Sequence, residues 1–212
     1  DAGGHFSATF TSPDPGQVTG HASSSLNLGS QQDPIVVQTN GVGQNGSDAV
    51  KTFVDARIHI TPSATNRVGE PPTFVAHVEK NLGLGAGWVD AANEPTTITL
   101  TASNGASITQ LGPGSGTGLA SATYNLTSGA NGTASVTFTS PTPGQVTGHA
   151  QATLNLGSQQ DPIVVQTNGV GQNGSDAVKT FVDARIHITP TATNRVGAPH
   201  TFVAHVEKNL GL

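Results

Sequence analysis

Residues 49–62 read AVKTFVDARIHITP, and residues 177–190 repeat the same letters. The offset is 177 − 49 = 128 residues, and the register extends without a gap from 1–84 onto 129–212. Twelve of those 84 positions differ: Asp1/Gly129, Gly3/Asn131, His5/Thr133, Phe6/Ala134, Ala8/Val136, Asp14/Thr142, Ser23/Gln151, Ser24/Ala152, Ser25/Thr153, Ser63/Thr191, Glu70/Ala198 and Pro72/His200. The chain of 212 residues thus holds 212/128, about 1.7, copies of one unit. A repeat this long and this faithful points to an array and not to a single catalytic body.

The stretch also states its own conformation. Val50, Thr52, Val54, Ala56, Ile58 and Ile60 alternate as on a strand, while Val50, Phe53, Val54, Arg57 and Ile58 only half-fit a helix. The β-branched content favours the strand. Twelve extended residues would span roughly 40 Å at ~3.3 Å each, long for one sheet position. The expectation is that the last strand of one domain runs through residues 53–55 into the first strand of the next, giving a short, stiff joint.

Composition supports strands and turns and excludes several functions. Charged residues make up 10%, and the net charge is −5, so nothing basic is available to neutralise phosphates and nucleic-acid binding is not expected. Gly is abundant at 27 residues, with much Ser, Thr, Asn and Gln between Val- and Ile-rich runs. With no Cys there are no disulfides, thiol nucleophiles or Cys metal sites. No run of 18 apolar residues is present, so no membrane span is expected in this segment. The chain begins at Asp1 within a repeat and carries no visible signal peptide, as expected of a mature fragment or a window of a longer repetitive chain.

Turn signals divide the rest. Asn131-Gly132, between alternating runs at 119–126 and 134–138, predicts a type I′ hairpin, and Ala2-Gly3-Gly4 stands in its place in the first copy. Pro13-Asp14-Pro15-Gly16 and Pro141-Thr142-Pro143-Gly144 predict turns. Residues 27–48 and 155–176 are rich in Gly, Gln and Asn around Ile35-Val36-Val37 and its copy, and read as a long decorated hairpin. Residues 62–72 read as a loop, 74–79 as a half-buried strand, and 96–102 as a strand turned back at Asn104-Gly105 into 106–111. Short strands with turns between them, and no persuasive helix, predict an all-β sandwich.

Residues 60–69 (ITPSATNRVG) followed by 73–78 (TFVAHV) resemble the opening strands of bacterial Ig-like repeats of the invasin/intimin type, as found in large bacterial surface proteins. Residues 130–138 (ANGTASVTF) resemble their late hairpin, and 144–150 (GQVTGHA) the strand after it. The resemblance covers most of each repeat. It implies tandem immunoglobulin-like β-sandwich repeats of 128 residues, extracellular or at the cell surface, serving as a stalk or adhesive rod. The unit exceeds the ~100 residues of an ordinary Ig sandwich, and the excess falls in the decorated hairpin. Phased at the joint, residues 1–54 form the C-terminal part of one repeat, 55–182 a complete repeat, and 183–212 the N-terminal strands of the next.

Candidate chemistry is sparse. His59 and His77, with copies His187 and His205, are expected to face one side of adjacent strands, with Glu79 on the face of His77, as a zinc-binding row or as a polar row facing solvent. Asp48, Asp55 and Asp90 lie near presumed domain ends, where calcium would stiffen a joint, although no dense run of oxygen ligands accompanies them. Lys51 or Lys80 beside an Asn or Asp would suit an isopeptide crosslink. Asn45, Asn125, Asn131 and Asn173 begin glycosylation sequons. Trp88 and Tyr124 read as core or rim packing. No nucleophile elbow or phosphate loop is present, so neither enzyme activity nor a cofactor is expected. Three readings remain: a structural stalk or fibre segment, a filament subunit that exchanges strands with identical chains, and an adhesin module binding a sugar or protein through its loops. Partners would be neighbouring repeats, identical chains, or a host or cell-surface ligand.

Overall fold

The computed structural model describes residues 3–29, 33–157 and 161–212, and among them every regular element is a strand. In chain order these are β1 (Gly16–Gly20), β2 (Ser23–Leu26), β3 (Ile35–Gln38), β4 (Ala49–Phe53), β5 (Asp55–Thr61), β6 (Ala64–Arg67), β7 (Thr73–Asn81) and β8 (Val89–Asp90). There follow β9 (Pro95–Ser103), β10 (Thr109–Gln110), β11 (Ser121–Thr127), β12 (Thr133–Thr139), β13 (Gly144–Leu154), β14 (Ile163–Gln166), β15 (Ala177–Thr189) and β16 (Val203–Asn209). No helix of the described residues is long and apolar enough to cross a membrane.

The chain divides into two compact units. The smaller comprises Asp1–Ala56, Lys80–Val89 and Asn155–Ile163; the larger comprises Arg57–Glu79, Asp90–Leu154 and Val164–Leu212. In the larger unit two sheets face each other. One runs β10-β12-β7-β5, with β8 beside β7; the other runs β11-β9-β13-β15-β16, with β6 beside β15 and β14 beside β13. All the paired neighbours with a defined register are antiparallel except β6 and β15, which run parallel from Lys179↔Ala64 to Val182↔Arg67.

The sandwich strands β5, β7, β9, β11, β12 and β13 each bury one face, as the alternation predicts: β7 buries Phe74, Ala76 and Val78, and β13 buries Val146, Ala150 and Leu154. The core is knitted across the layers by three rings. Phe74 stacks on Phe138 at 5.4 Å, and Phe138 meets Phe181 edge-on at 6.1 Å. Gly148 leaves the gap that Phe74 and Ile60 fill; a Cβ there would stand 2.8 Å from the Phe74 ring and 3.1 Å from Ile60 Cδ1.

The smaller unit holds two antiparallel strand pairs, β1–β4 and, between them in the chain, β2–β3. The first has the register of its copy: Gly16↔Phe53 to Gly20↔Ala49 matches Gly144↔Phe181 to Gly148↔Ala177. The hairpin expected of residues 27–48 and 155–176 is corrected: each stretch holds one strand, β3 or β14, and it pairs the strand before the stretch, β2 or β13; residues 30–32 and 158–160 of those stretches lie outside the described residues.

Three further local expectations are corrected. Residues 119–126 and 134–138 do not form a hairpin about Asn131-Gly132. Instead β11 pairs β9 in one sheet and β12 pairs β7 in the other, and Gly132 alone has positive φ. One-sided apolar alternation suits an arch between facing sheets as well as a hairpin within one, because both bury the same face. Asn104-Gly105 does carry the two positive φ angles of a type I′ turn, but β10 beyond it leaves for β12. Residues 62–72, read as loop, contain β6, a polar strand held by backbone pairing to β15.

Candidate functional site at the strand junctions

Residues 49–61 and 177–189 mark two junctions of identical sequence. At the second, β15 is one unbroken strand. Its first half pairs β13 and β6, and its second half pairs β16 from Asp183↔Asn209 to Thr189↔Val203. At the first, β4 and β5 cover the same positions with a one-residue interruption at Val54. Residues 177–189 are therefore a single strand, whereas the strand expected to run through 53–55 is broken at Val54.

A glycine seats the chain against each junction. Gly211 has φ 68°, and a Cβ there would lie 2.4 Å from the Phe181 carbonyl oxygen and 2.9 Å from Gly144 N. Gly83 repeats the arrangement, with φ 70° and 2.3 Å to the Phe53 oxygen. Only glycine tolerates both that φ and that approach. The turn before each glycine is pinned by an asparagine: Gly211 N donates to Asn209 Oδ1 at 3.0 Å, and Gly83 N to Asn81 Oδ1 at 3.0 Å.

Beyond each junction lies a forked ion pair. Arg57 donates to Glu79 at 2.7 and 2.9 Å, and Arg185 to Glu207 at 2.6 and 3.1 Å. The Arg57 guanidinium holds the Glu79 carboxyl below the usual carboxylate range. This pair absorbs the carboxylate of the supposed zinc row. His187 and His205 do stand directly opposite each other, but His187 Nε2 is 3.6 Å from the occupied Glu207, and His59 Nε2 is 3.9 Å from Glu79. His77 turns to Asp90 at 2.9 Å. Among the described residues no group of three or more His, Asp or Glu side chains is placed to hold a metal. An open recess of about 540 Å³ lies at the second junction, lined by Pro143, Asp183, Arg185, Glu207 and Leu210. Its charged pair is mutually satisfied.

The base of the β13–β14 pair is clipped by a network absent from the sequence reading. Thr167 accepts the Ala150 amide at 2.9 Å and donates to Asp176 at 2.6 Å, while His149 Nδ1 lies 2.8 Å from the same carboxylate. Thr39, Ala22, Asp48 and His21 reproduce it. The clue was the invariant spacing of His, Thr and Asp in both copies. Hydrogen bonds from Thr39 and then His21 lower the Asp48 pKa.

The other candidates are dispersed. Asp48 belongs to that clip, Asp55 accepts the Ala56 amide at 2.8 Å, and Asp90 faces His77. Lys51 is exposed on β4, but its copy Lys179 is buried, with Nζ 5.3 Å from the Phe74 ring centroid. Burial lowers the Lys179 pKa, and the ring face opposes that by favouring the cation. Asn45, Asn125 and Asn131 are exposed, whereas the Asn173 side chain accepts the Ile58 amide at 3.1 Å and donates to Val170 O at 3.2 Å. Tyr124 is a core residue and Trp88 is half-buried.

No family model matches the chain, and a search of curated proteins finds no match.

Proposed function

We propose that this chain is a structural, non-catalytic segment of a large extracellular repeat protein, built from tandem immunoglobulin-like sandwiches and working as a stalk or fibre. The sheet order supports the Ig-like reading. β5-β7-β12 follows the order A-B-E and β15-β13-β9 the order G-F-C, with the chain order A, B, C, E, F, G kept; β10 and β11 fall outside that match. The resemblance of residues 60–69, 73–78, 130–138 and 144–150 to invasin/intimin-type repeats agrees with that order. The observation that carries the functional reading is the duplicated junction: the same strand, glycine seat and forked ion pair recur 128 residues apart. A joint made from continuous strand transmits force along the backbone ladder, and identical joints make length scale with copy number. Its place outside the cell rests on the resemblance alone.

The test is to lengthen the chain by whole 128-residue units and measure its maximum dimension by small-angle scattering. A constant increment of roughly 40 Å per unit, the reach of about twelve extended residues, is the expected result. A dimension that stays constant, or a coil-like growth with the square root of length, would sink the stalk reading.

A further inference from the structure

An open sheet edge presents unpaired N–H and C=O groups to any strand that can lie beside it, so edges are usually covered, short or charged. Within the complete repeat, 55–182, most edges follow that rule. On β5 the Ile58 amide donates to Asn173 Oδ1 at 3.1 Å, and its carbonyl accepts the Gly174 amide at 2.9 Å. β8 and β10 are two residues each, β6 and β14 are four each, and β6 ends in Arg67. β11 is the exception. It is the terminal strand of its sheet, and among the described residues no strand pairs its outer side. Its seven residues, SATYNLT, include no charge, no Pro and no Gly.

The β9 ladder shows which groups of β11 are open. Ala102 N donates to Ala120 O at 2.8 Å and Ser128 N to Glu94 O at 3.0 Å, so in the β11–β9 register the even-numbered residues of β11 bond to β9. The N–H and C=O groups of Ser121, Thr123, Asn125 and Thr127 therefore point away from the sheet, and all four residues are exposed. From this we infer that β11 is a lateral interface, pairing antiparallel with β11 of a second copy of this chain about a two-fold axis at Tyr124. The strand suits itself in that register. Thr123 falls opposite Asn125 of the copy and Ser121 opposite Thr127, so open backbone groups meet open backbone groups. The other side of β11 already uses the same cross-strand match, where Thr97 Oγ1 donates to Asn125 Oδ1 at 3.3 Å. Asn125 keeps amide hydrogens to donate to Thr123 of the copy. On the inner face Ala122 falls opposite Leu126, small beside large, and no like charges meet. β11 is whole within the repeat and is separated from the junction strand β15 by β9 and β13, so repeats added at either junction attach elsewhere. The contact goes beyond the stalk reading: it ties two chains side by side with their β11 strands running in opposite directions.

The test is sedimentation equilibrium of the full chain and its variants, each first checked for its strand signal by circular dichroism. The expected species is a reversible dimer of two 21.3 kDa chains, with a dissociation constant below about 1 mM. Thr123→Pro deletes an outward N–H and leaves the β9 ladder intact, as an edge position allows. Two intermolecular hydrogen bonds are then lost by symmetry, and the dissociation constant should rise at least about tenfold. A chain with Thr123→Lys and Asn125→Lys sets like charges opposite each other and should be monomeric; so should one with Thr123→Glu and Asn125→Glu. Mixed in equal amounts, those two chains should dimerise. A wild-type chain that stays monomeric up to about 1 mM overturns the inference. So does association of equal strength in the wild-type, Lys and Glu chains, which would run through another surface. In either case the growth of length with added units, measured at dilution, still decides the stalk reading.

Discussion

Ile58 and Ile186 occupy the same place in the same sequence, yet Ile58 is fully buried and Ile186 is 65% exposed. Phe74 and Phe202 differ likewise, at 0% and 71%. At the other end the order reverses: Val18 is 36% exposed and its copy Val146 fully buried. Several strand pairs do not change: β1–β4 and β13–β15 keep one register, and β16 pairs the far half of β15 as β7 pairs β5. Pairing of strands adjacent in the repeat is thus specified locally, by turn and alternation. Burial is conferred by the facing sheet. Even β6 depends on its neighbour: residues 64–67 are a strand beside β15, and their copies at 192–195 are not.

The largest expected effect is a direct break of this comparison. Phe74→Ala removes a ring stacked on Phe138 in a closed core and should cost about 3–5 kcal/mol. Phe202→Ala, the same substitution in the same local sequence, should fall within about 0.5 kcal/mol when dilute monomer is unfolded by denaturant. Similar midpoint shifts for the two would mean that the second copy buries its apolar face in the monomer.

A smaller effect is expected at the hairpin clip. Thr167 is 1% exposed, and Thr167→Val leaves the buried Ala150 amide without its acceptor. That should cost about 1–3 kcal/mol, the usual penalty for a stranded buried donor. Thr39→Val breaks the equivalent bond to Ala22, but the residues around it are exposed and water takes the acceptor's place. Its shift should be a few tenths of a kcal/mol, and equal shifts would show the clip working independently of burial.

These contrasts also explain what could be read from the letters. The strands at 73–81, 95–103 and 177–189 and their inward faces follow from alternation and β-branched content, which are local properties. The arch at Asn131-Gly132 did not, because a hairpin and an arch impose the same pattern on Tyr124, Leu126, Ala134 and Val136. β6 was hidden because ATNR has no apolar face and is held by backbone bonds alone. The zinc row was legible as a row: His187 and His205 do face each other. What spacing could not reveal is that an arginine two residues before each histidine of the first strand would claim the carboxylate in a fork. The glycine seats at Gly83 and Gly211 were likewise invisible, since the atoms they admit belong to Phe53 and Phe181, thirty residues earlier.

The smallest contrast lies in that fork. Arg57 and Glu79 expose 24% and 14% of their side chains; Arg185 and Glu207 expose 69% and 35%. The geometry is nearly the same, so the difference between the pairs is one of solvent screening. Arg57→Gln should cost about 1 kcal/mol, the upper end for a partly exposed pair, and the cost should shrink little with salt. Arg185→Gln should cost less and lose its effect in high salt. Acid provides the second axis. The folded-state pKa of Glu79 is lowered from 4.5, chiefly by the Arg57 hydrogen bonds, so its stabilisation is complete above that value and disappears as pH falls through the lowered one. The wild-type chain should therefore lose the Arg57 contribution only below about pH 4.5, and Arg57→Gln should flatten the stability profile there. Denaturant midpoints between pH 2 and 7 decide it. If Arg185→Gln flattens the acid limb as much as Arg57→Gln does, the fork acts through geometry alone and the screening argument fails.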